Sequence, residues 1–121
     1  MQLNHLDLPV PDVRATADFF IRFFGFRLDA VKGNDGMAIL QGDGGVVLVL
    51  TRRGDDSPAF AKTFHVGFLV PSPETVHEVH RQLSEAGCAD LSPVSTMRGS
   101  TLLYCHAPGG VLVEVGFRPD A

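Results

Sequence analysis

Tryptophan is absent from this chain, tyrosine occurs once, and cysteine occurs twice among 121 residues. The cysteines, Cys88 and Cys105, do not form a Cys-x-x-Cys pair. No secretion signal opens the chain, so we expect free thiols and not a disulfide. No apolar run approaches the roughly 20 residues of a membrane-spanning helix. Together these absences predict a cytoplasmic protein without a disulfide framework and without a membrane partner.

Basic residues are also few, because 10 lysines and arginines stand against 14 acidic residues, for a net charge of −4 at pH 7. Binding to a nucleic-acid backbone requires a basic surface, so no nucleic-acid partner is expected. Hydrophobic residues make up 45% of the chain, which is ordinary for a globular protein. At this length we expect residues 1–121 to form a single domain.

The predicted order of secondary structure occurs twice along the chain, each time as a strand, a helix and three strands. Prolines stop the first strand of each copy, and Gly25 and Gly87 end the two helices. Internal self-similarity of this kind indicates a duplicated module. The first copy is predicted as a strand at 3–8, a helix at 13–24 and strands near 26–31, 36–41 and 46–51. The second is predicted as a strand at 65–70, a helix that begins at Pro73 and is ended by Gly87, and strands near 91–95, 101–106 and 111–117.

These limits give module one at 1–52, a linker at 53–62 and module two at 63–121. The predicted fold is α+β, made of two βαβββ modules with mostly antiparallel strands. Equivalent strands of duplicated modules should be related by a pseudo-twofold axis. Residues at matching positions in the two modules can then face each other across one cleft.

Two histidines occupy such matching positions, His5 in the first strand and His65 in the fifth. Glu114 lies in an otherwise apolar strand near the C-terminus, where an uncompensated buried charge would be costly. Two imidazoles and one carboxylate are the ligand set of a facial metal triad. We therefore predict a metal site formed by His5, His65 and Glu114. The residue that matches Glu114 in module one is Val49, which cannot bind a metal.

The paired βαβββ order and these residues resemble the vicinal oxygen chelate superfamily. It includes glyoxalase I, extradiol dioxygenases, fosfomycin-resistance thiol transferases and bleomycin-resistance proteins. The resemblance extends over essentially the whole chain. It implies an open, barrel-like cleft holding a divalent metal ion, with ligands from the first and last strands of each module, and it implies a homodimer. Here those strands supply His5, Val49, His65 and Glu114.

Departures from the family patterns narrow the expected activity. Val49 stands where most enzymes of the glyoxalase I type need a polar ligand, which disfavours that activity. Residues 103–114 resemble the closing half of the extradiol-dioxygenase signature, but Ser95, Thr96 and Met97 fill the window of its histidine. The loop before this segment also matches the fosfomycin-resistance enzymes poorly. The metal could be Fe, Mn, Zn, Ni or Co, since two imidazoles and a carboxylate suit them all.

Two further residues are predicted to face a substrate with two adjacent oxygen atoms. Tyr104 could donate a hydrogen bond to an oxyanion, although a plain strand aromatic is the competing interpretation. Asp7 shares the strand face of His5 and could orient the substrate or act as a base, although a solvated carboxylate is the competing interpretation. The leading hypothesis is a metal-dependent lyase, isomerase, transferase or dioxygenase. The alternative is a metal-free protein that sequesters an antibiotic or aromatic ligand, with phenylalanines providing the stacking.

Overall fold

The computed structural model describes residues 1–54 and 59–120. Residues 55–58, which are part of the predicted linker 53–62, and residue 121 lie outside the described residues. The chain divides into two compact units, Met1–Ala59 and Phe60–Ala121. Each unit contains one four-stranded sheet and one α-helix.

In the first unit the sheet has the strand order β1-β4-β3-β2. Strand β1 pairs with β4 in parallel, whereas the β2–β3 and β3–β4 ladders are antiparallel. Helix α1 packs against β3 and β4 and covers one face of the sheet, as an amphipathic helix on a half-buried sheet does. The elements are β1 (His5–Val10), α1 (Val13–Phe24), β2 (Arg27–Lys32), β3 (Met37–Gln41) and β4 (Val47–Arg52).

The second unit repeats this arrangement with the strand order β5-β8-β7-β6. Again one ladder, β5–β8, is parallel and the other two are antiparallel. Helix α2 packs against β7 and β8. The predicted α+β fold of two βαβββ modules with mostly antiparallel strands is confirmed. The elements are β5 (His65–Leu69), α2 (Pro73–Glu85), β6 (Ser95–Met97), β7 (Ser100–His106) and β8 (Leu112–Phe117).

The ends of the two helices follow from local sequence signals. Asp12 and Ser72 are the N-cap residues, and each side chain accepts a hydrogen bond from the backbone N–H three residues later. Gly25 and Gly87 follow the helices with φ values of 73° and 71°. Glycine adopts this left-handed conformation without a steric cost, which is why it ends helices. The predicted helix ends are thereby confirmed.

Two strands differ from their predicted positions. Strand β1 was expected to stop at Pro9 but continues to Val10, with Pro9 opposite Thr51 of β4. Strand β1 is an edge strand of this sheet, and a proline is tolerated in an edge strand. The strand expected at 91–95 begins only at Ser95. Residues before it meet β7 through Ser92, whose N–H donates to the Tyr104 carbonyl at 2.8 Å, while the adjacent Pro93 has no N–H to continue a ladder.

Both helices are short, with 12 residues in α1 and 13 in α2. A helix needs roughly 20 apolar residues to span a bilayer. Across the residues that the structure describes, no helix is long and apolar enough to do so.

Candidate functional site

Three of the predicted site residues lie on the sheet of the second unit. Tyr104 of β7 stands directly opposite Glu114 of β8. Strand β8 lies between β7 and β5, and β5 begins at His65. Side chains alternate along a strand, so Tyr104 and Glu114 project from the face opposite α2. The buried neighbours that define the α2 face are Leu103, Cys105, Val113 and Val115.

The Glu114 side chain is only 13% exposed, and its carboxylate has two polar partners. The Tyr104 hydroxyl donates to Oε1 of the carboxylate at 2.6 Å. Nη2 of Arg118 lies 3.6 Å from Oε2. A carboxylate that is largely removed from solvent needs such partners, since an uncompensated buried charge costs several kcal/mol. The carboxylate is therefore fixed in place and balanced by a phenol and a guanidinium.

A glycine in the neighbouring strand leaves room for this carboxylate. Gly67 of β5 is paired with Glu114 in the parallel ladder. A Cβ added at Gly67 would lie 3.4 Å from Oε2 of Glu114. This is van der Waals contact, so a side chain longer than alanine would press on the carboxylate. Gly67 thus keeps one side of Oε2 open.

The hydrogen bond to Glu114 also changes the acidity of Tyr104. Because Glu114 accepts a hydrogen bond from the phenol, the neutral form of Tyr104 is favoured. Partial burial and the nearby negative charge of Glu114 act in the same direction. The pKa of Tyr104 is therefore raised above its usual value of 10, with the Glu114 hydrogen bond as the largest cause, while Arg118 opposes the shift. Tyr104 remains a proton donor at neutral pH.

The ring of His65 is oriented by the backbone. Its Nδ1 lies 2.9 Å from the Thr63 carbonyl oxygen, and a carbonyl oxygen only accepts, so Nδ1 carries the hydrogen. In the neutral ring Nε2 then holds the free lone pair that a metal requires. The His65 and Tyr104 rings meet edge to face with centroids 6.4 Å apart. His65 and the Tyr104–Glu114 pair therefore lie close together within this unit.

The first unit carries the remaining predicted site residues on β1. His5 has Nδ1 2.9 Å from the Asn4 side-chain oxygen, which likewise leaves Nε2 with its lone pair. Asp7 accepts a hydrogen bond at Oδ1 from the Thr51 hydroxyl at 2.6 Å. Val49 is opposite Asp7 in the β1–β4 ladder. His5 and Asp7 are both exposed.

The donor atoms suit a divalent metal ion, although the complete triad stays a prediction. Among the described residues His5 and His65 each use Nδ1 in a hydrogen bond and have Nε2 without one, and Oε2 of Glu114 has the Arg118 guanidinium 3.6 Å away. An oriented imidazole with its second nitrogen hydrogen-bonded is the usual state of a metal-binding histidine. Within neither unit does the described part of the chain bring three His, Cys, Asp or Glu side chains together.

Arg118 is the site residue that was not identified from the sequence. It follows the last residue of β8 and lies four positions after Glu114. Alternation places residues four apart in an extended segment on the same face. That spacing was the available signal, but the end of the strand made the continuation of the pattern at Arg118 uncertain.

A comparison with known protein families assigns the chain to one of them. The model of the Glyoxalase/Bleomycin resistance protein/Dioxygenase superfamily matches residues 2–115. The chain therefore belongs to this superfamily, which confirms the resemblance to the vicinal oxygen chelate proteins. A comparison with curated proteins found no match.

Several solved structures share this fold. One, described as a possible glyoxalase from Bacillus cereus, is 33% identical with a TM-score of 0.85, covering 95% of this chain and 97% of the other. A lactoylglutathione lyase from Agrobacterium tumefaciens is 20% identical, with a TM-score of 0.75 and coverages of 96% and 92%. A genomically encoded fosfomycin resistance protein from Listeria monocytogenes is 19% identical, with a TM-score of 0.79 and coverages of 98% and 93%. At such low identity the last two show the fold alone.

Proposed function

We propose that this protein is a metal-dependent enzyme of the vicinal oxygen chelate type that acts on a small molecule with two adjacent oxygen atoms. His5, His65 and Glu114 are the proposed metal ligands, and Tyr104 and Asp7 the residues that face the substrate. The main support is the 2.6 Å hydrogen bond from the Tyr104 hydroxyl to Glu114, with the His65 ring beside it. One face of one sheet thus offers an oriented imidazole, a fixed carboxylate and a proton donor.

The chain's own residues have distinct tasks in this proposal. A divalent ion would supply Lewis acidity toward the oxygen atoms of the substrate. Tyr104 holds Oε1 of Glu114, so that Oε2 is the oxygen left for a metal. The raised pKa of Tyr104 favours its protonated form. Its single O–H bonds Oε1 of Glu114 in this structure and would have to turn away from that oxygen to donate to a substrate oxygen that becomes negatively charged. Arg118 adds positive charge on the same side.

The type of reaction is narrowed by what surrounds these residues. Val49 occupies the β4 position that matches Glu114, which argues against glyoxalase I chemistry despite the lactoylglutathione lyase among the structural neighbours. Strand β6, Ser95–Met97, contains no histidine, which argues against cleavage of catechol rings. We propose a lyase, isomerase, transferase or dioxygenase that uses Fe, Mn, Zn, Ni or Co.

A metal-free binding protein is the second candidate, and two observations favour it. Glu114 is already balanced by Tyr104 and Arg118, so the fold does not need a cation to compensate this charge. The rings of Phe60 and Phe64 are stacked with centroids 5.3 Å apart, and Phe64 is 40% exposed. Such a pair could stack against a flat aromatic ligand.

We further propose a homodimer that resides in the cytoplasm. Leu69 and Met97 expose large apolar side chains, Met97 to 67%, and a second copy of the chain could cover them. Both cysteines are free, which suits a reducing compartment. Burial raises the pKa of the Cys105 thiol to about 12, so this thiol stays protonated and poorly reactive.

Metal analysis of protein purified without chelator tests the enzyme proposal. We expect one divalent ion per chain in the wild type and its loss in His65→Ala and Glu114→Ala. The matched controls are His77→Ala and Glu85→Ala, which remove an exposed histidine and an exposed glutamate of α2 and should retain the ion. Absence of metal from the wild type, together with tight binding of a flat aromatic ligand, would instead support the binding protein.

A further inference from the structure

Each sheet has one carboxylate at an equivalent pair of positions in its parallel ladder, but the carboxylate lies on opposite strands of that pair in the two units. In the second unit Gly67 of β5 is paired with Glu114 of β8. In the first unit the equivalent pair is Asp7 of β1 and Val49 of β4. Each parallel ladder therefore has one acidic residue at this pair of positions, on the last strand in the second unit and on the first strand in the first unit.

This exchange puts an acid beside a proposed metal ligand. His5 and Asp7 are two residues apart in β1, so their side chains leave the same face of the strand. Their Cα atoms are about 7 Å apart at the usual rise per residue. Side chains at this separation can converge on one ion. The equivalent pair in the second unit, His65 and Gly67, offers only the imidazole.

The contacts of Asp7 leave most of its charge available. Its Oδ1 accepts one hydrogen bond from the neutral Thr51 hydroxyl, which fixes the carboxylate and leaves Oδ2 free to bind. Over residues 1–54 and 59–120 Asp7 forms no ion pair. Two other acids of this unit do, since Asp35 pairs with Arg14 and Asp43 with Arg27.

We propose that Asp7 is the carboxylate ligand of the first unit and binds the same metal ion as His5. The inference rests on the proposed metal-dependent function, adds a fourth ligand to it and gives Asp7 this role in place of direct contact with the substrate. The carboxylate that position 49 does not supply comes from the neighbouring strand, and Thr51 positions it. Two imidazoles with two carboxylates form a harder donor set than the triad, which raises the affinity for Mn²⁺ and Fe²⁺ relative to that for Zn²⁺.

Calorimetric titration of the metal-free protein tests this proposal, once with Mn²⁺ alone and once with Zn²⁺ alone. The near-isosteric Asp7→Asn should weaken Mn²⁺ binding by roughly 10- to 100-fold. It should weaken Zn²⁺ binding less, because Zn²⁺ depends less on an additional carboxylate. A purely structural role of the Asp7–Thr51 contact would not change the ratio of the two affinities.

A double variant tests the exchanged positions directly. Asp7→Gly alone should lose Mn²⁺ affinity, and Asp7→Gly combined with Val49→Glu, which recreates the Gly67–Glu114 arrangement, should recover most of it. The matched control is Asp29→Asn. Asp29 accepts one hydrogen bond from the neutral Gln41 side chain and lies on β2, three strands from β1, so its loss should leave the affinity unchanged.

The outcomes separate this inference from the proposed function. If Asp7→Asn binds Mn²⁺ as tightly as the wild type while Glu114→Ala does not bind it, Asp7 is not a ligand but the metal-dependent function stands. If the wild type binds neither ion, both proposals fail. Circular dichroism and the thermal midpoint of each variant check that a lost affinity does not reflect a lost fold.

Discussion

Tyr104 is a specific reporter of the candidate site, because the chain has no other tyrosine and no tryptophan. Absorbance at alkaline pH therefore follows this phenol alone. In metal-free protein we expect its titration midpoint above the usual value of about 10, since the hydrogen bond to Glu114 favours the protonated form. Glu114→Gln should lower the pKa toward the ordinary value, and Arg118→Ala should raise it further because Arg118 opposes the shift.

The same shift implies a direction for stability. A raised pKa in the folded state means that the Tyr104–Glu114 contact contributes fully below the pKa of the unfolded chain. The contribution is lost as the pH rises through the folded pKa. The free energy of unfolding should fall above about pH 10, and less so in Tyr104→Phe. A titration midpoint of Tyr104 that is the same in Glu114→Gln as in the wild type would contradict the role given to this hydrogen bond.

At the residue scale, the sequence identified the chemical groups better than their contacts. His65, Tyr104 and Glu114 could be selected because polar residues in strands of alternating burial are conspicuous. The contact between Tyr104 and Glu114 depends on the register of β7 against β8. The contact of Arg118 with Glu114 depends on how the chain continues after β8, and the Thr51–Asp7 bond depends on the register of β1 against β4. Alternation alone determines neither.

At the scale of elements, the start of α1 allows a clean test. Asp12 accepts a hydrogen bond from the Ala15 backbone N–H at 3.0 Å, which satisfies a donor that the helix itself cannot. Asp12→Ala should lower the free energy of unfolding by about 1 kcal/mol, as measured by urea denaturation. Asp12→Asn retains the acceptor and should cost much less. Equal losses in the two variants would mean that the cap contributes through its charge and not through this bond.

The helices and most strands could be predicted because several local signals agree at each of them. Helix α1 has an N-cap, an apolar stripe and a terminal glycine, and the structure reproduces its predicted bounds. Strand β6 has no such agreement. The segment before Ser95 is apolar enough for a strand, but Pro93 and the bonds between Ser92 and Tyr104 keep it out of the ladder. Tertiary contacts of this kind are not visible in a local pattern.

At the scale of the whole molecule, the duplication connects fold and function. Both units have the same strand order and the same parallel ladder between their first and last strands. Membership of the Glyoxalase/Bleomycin resistance protein/Dioxygenase superfamily accounts for this architecture. The two units differ in where their acids lie, with Glu114 on the last strand of one parallel ladder and Asp7 on the first strand of the other. The proposed fourth ligand follows from that difference.

The most direct test of the central claim is a crystal structure of the Mn²⁺-loaded protein with anomalous diffraction data. We expect one anomalous peak per chain, with Nε2 of His5, Nε2 of His65 and a carboxylate oxygen of Glu114 each about 2.0–2.3 Å from it. A peak bound by other residues, or His5 far from the ion that His65 and Glu114 hold, would contradict the account.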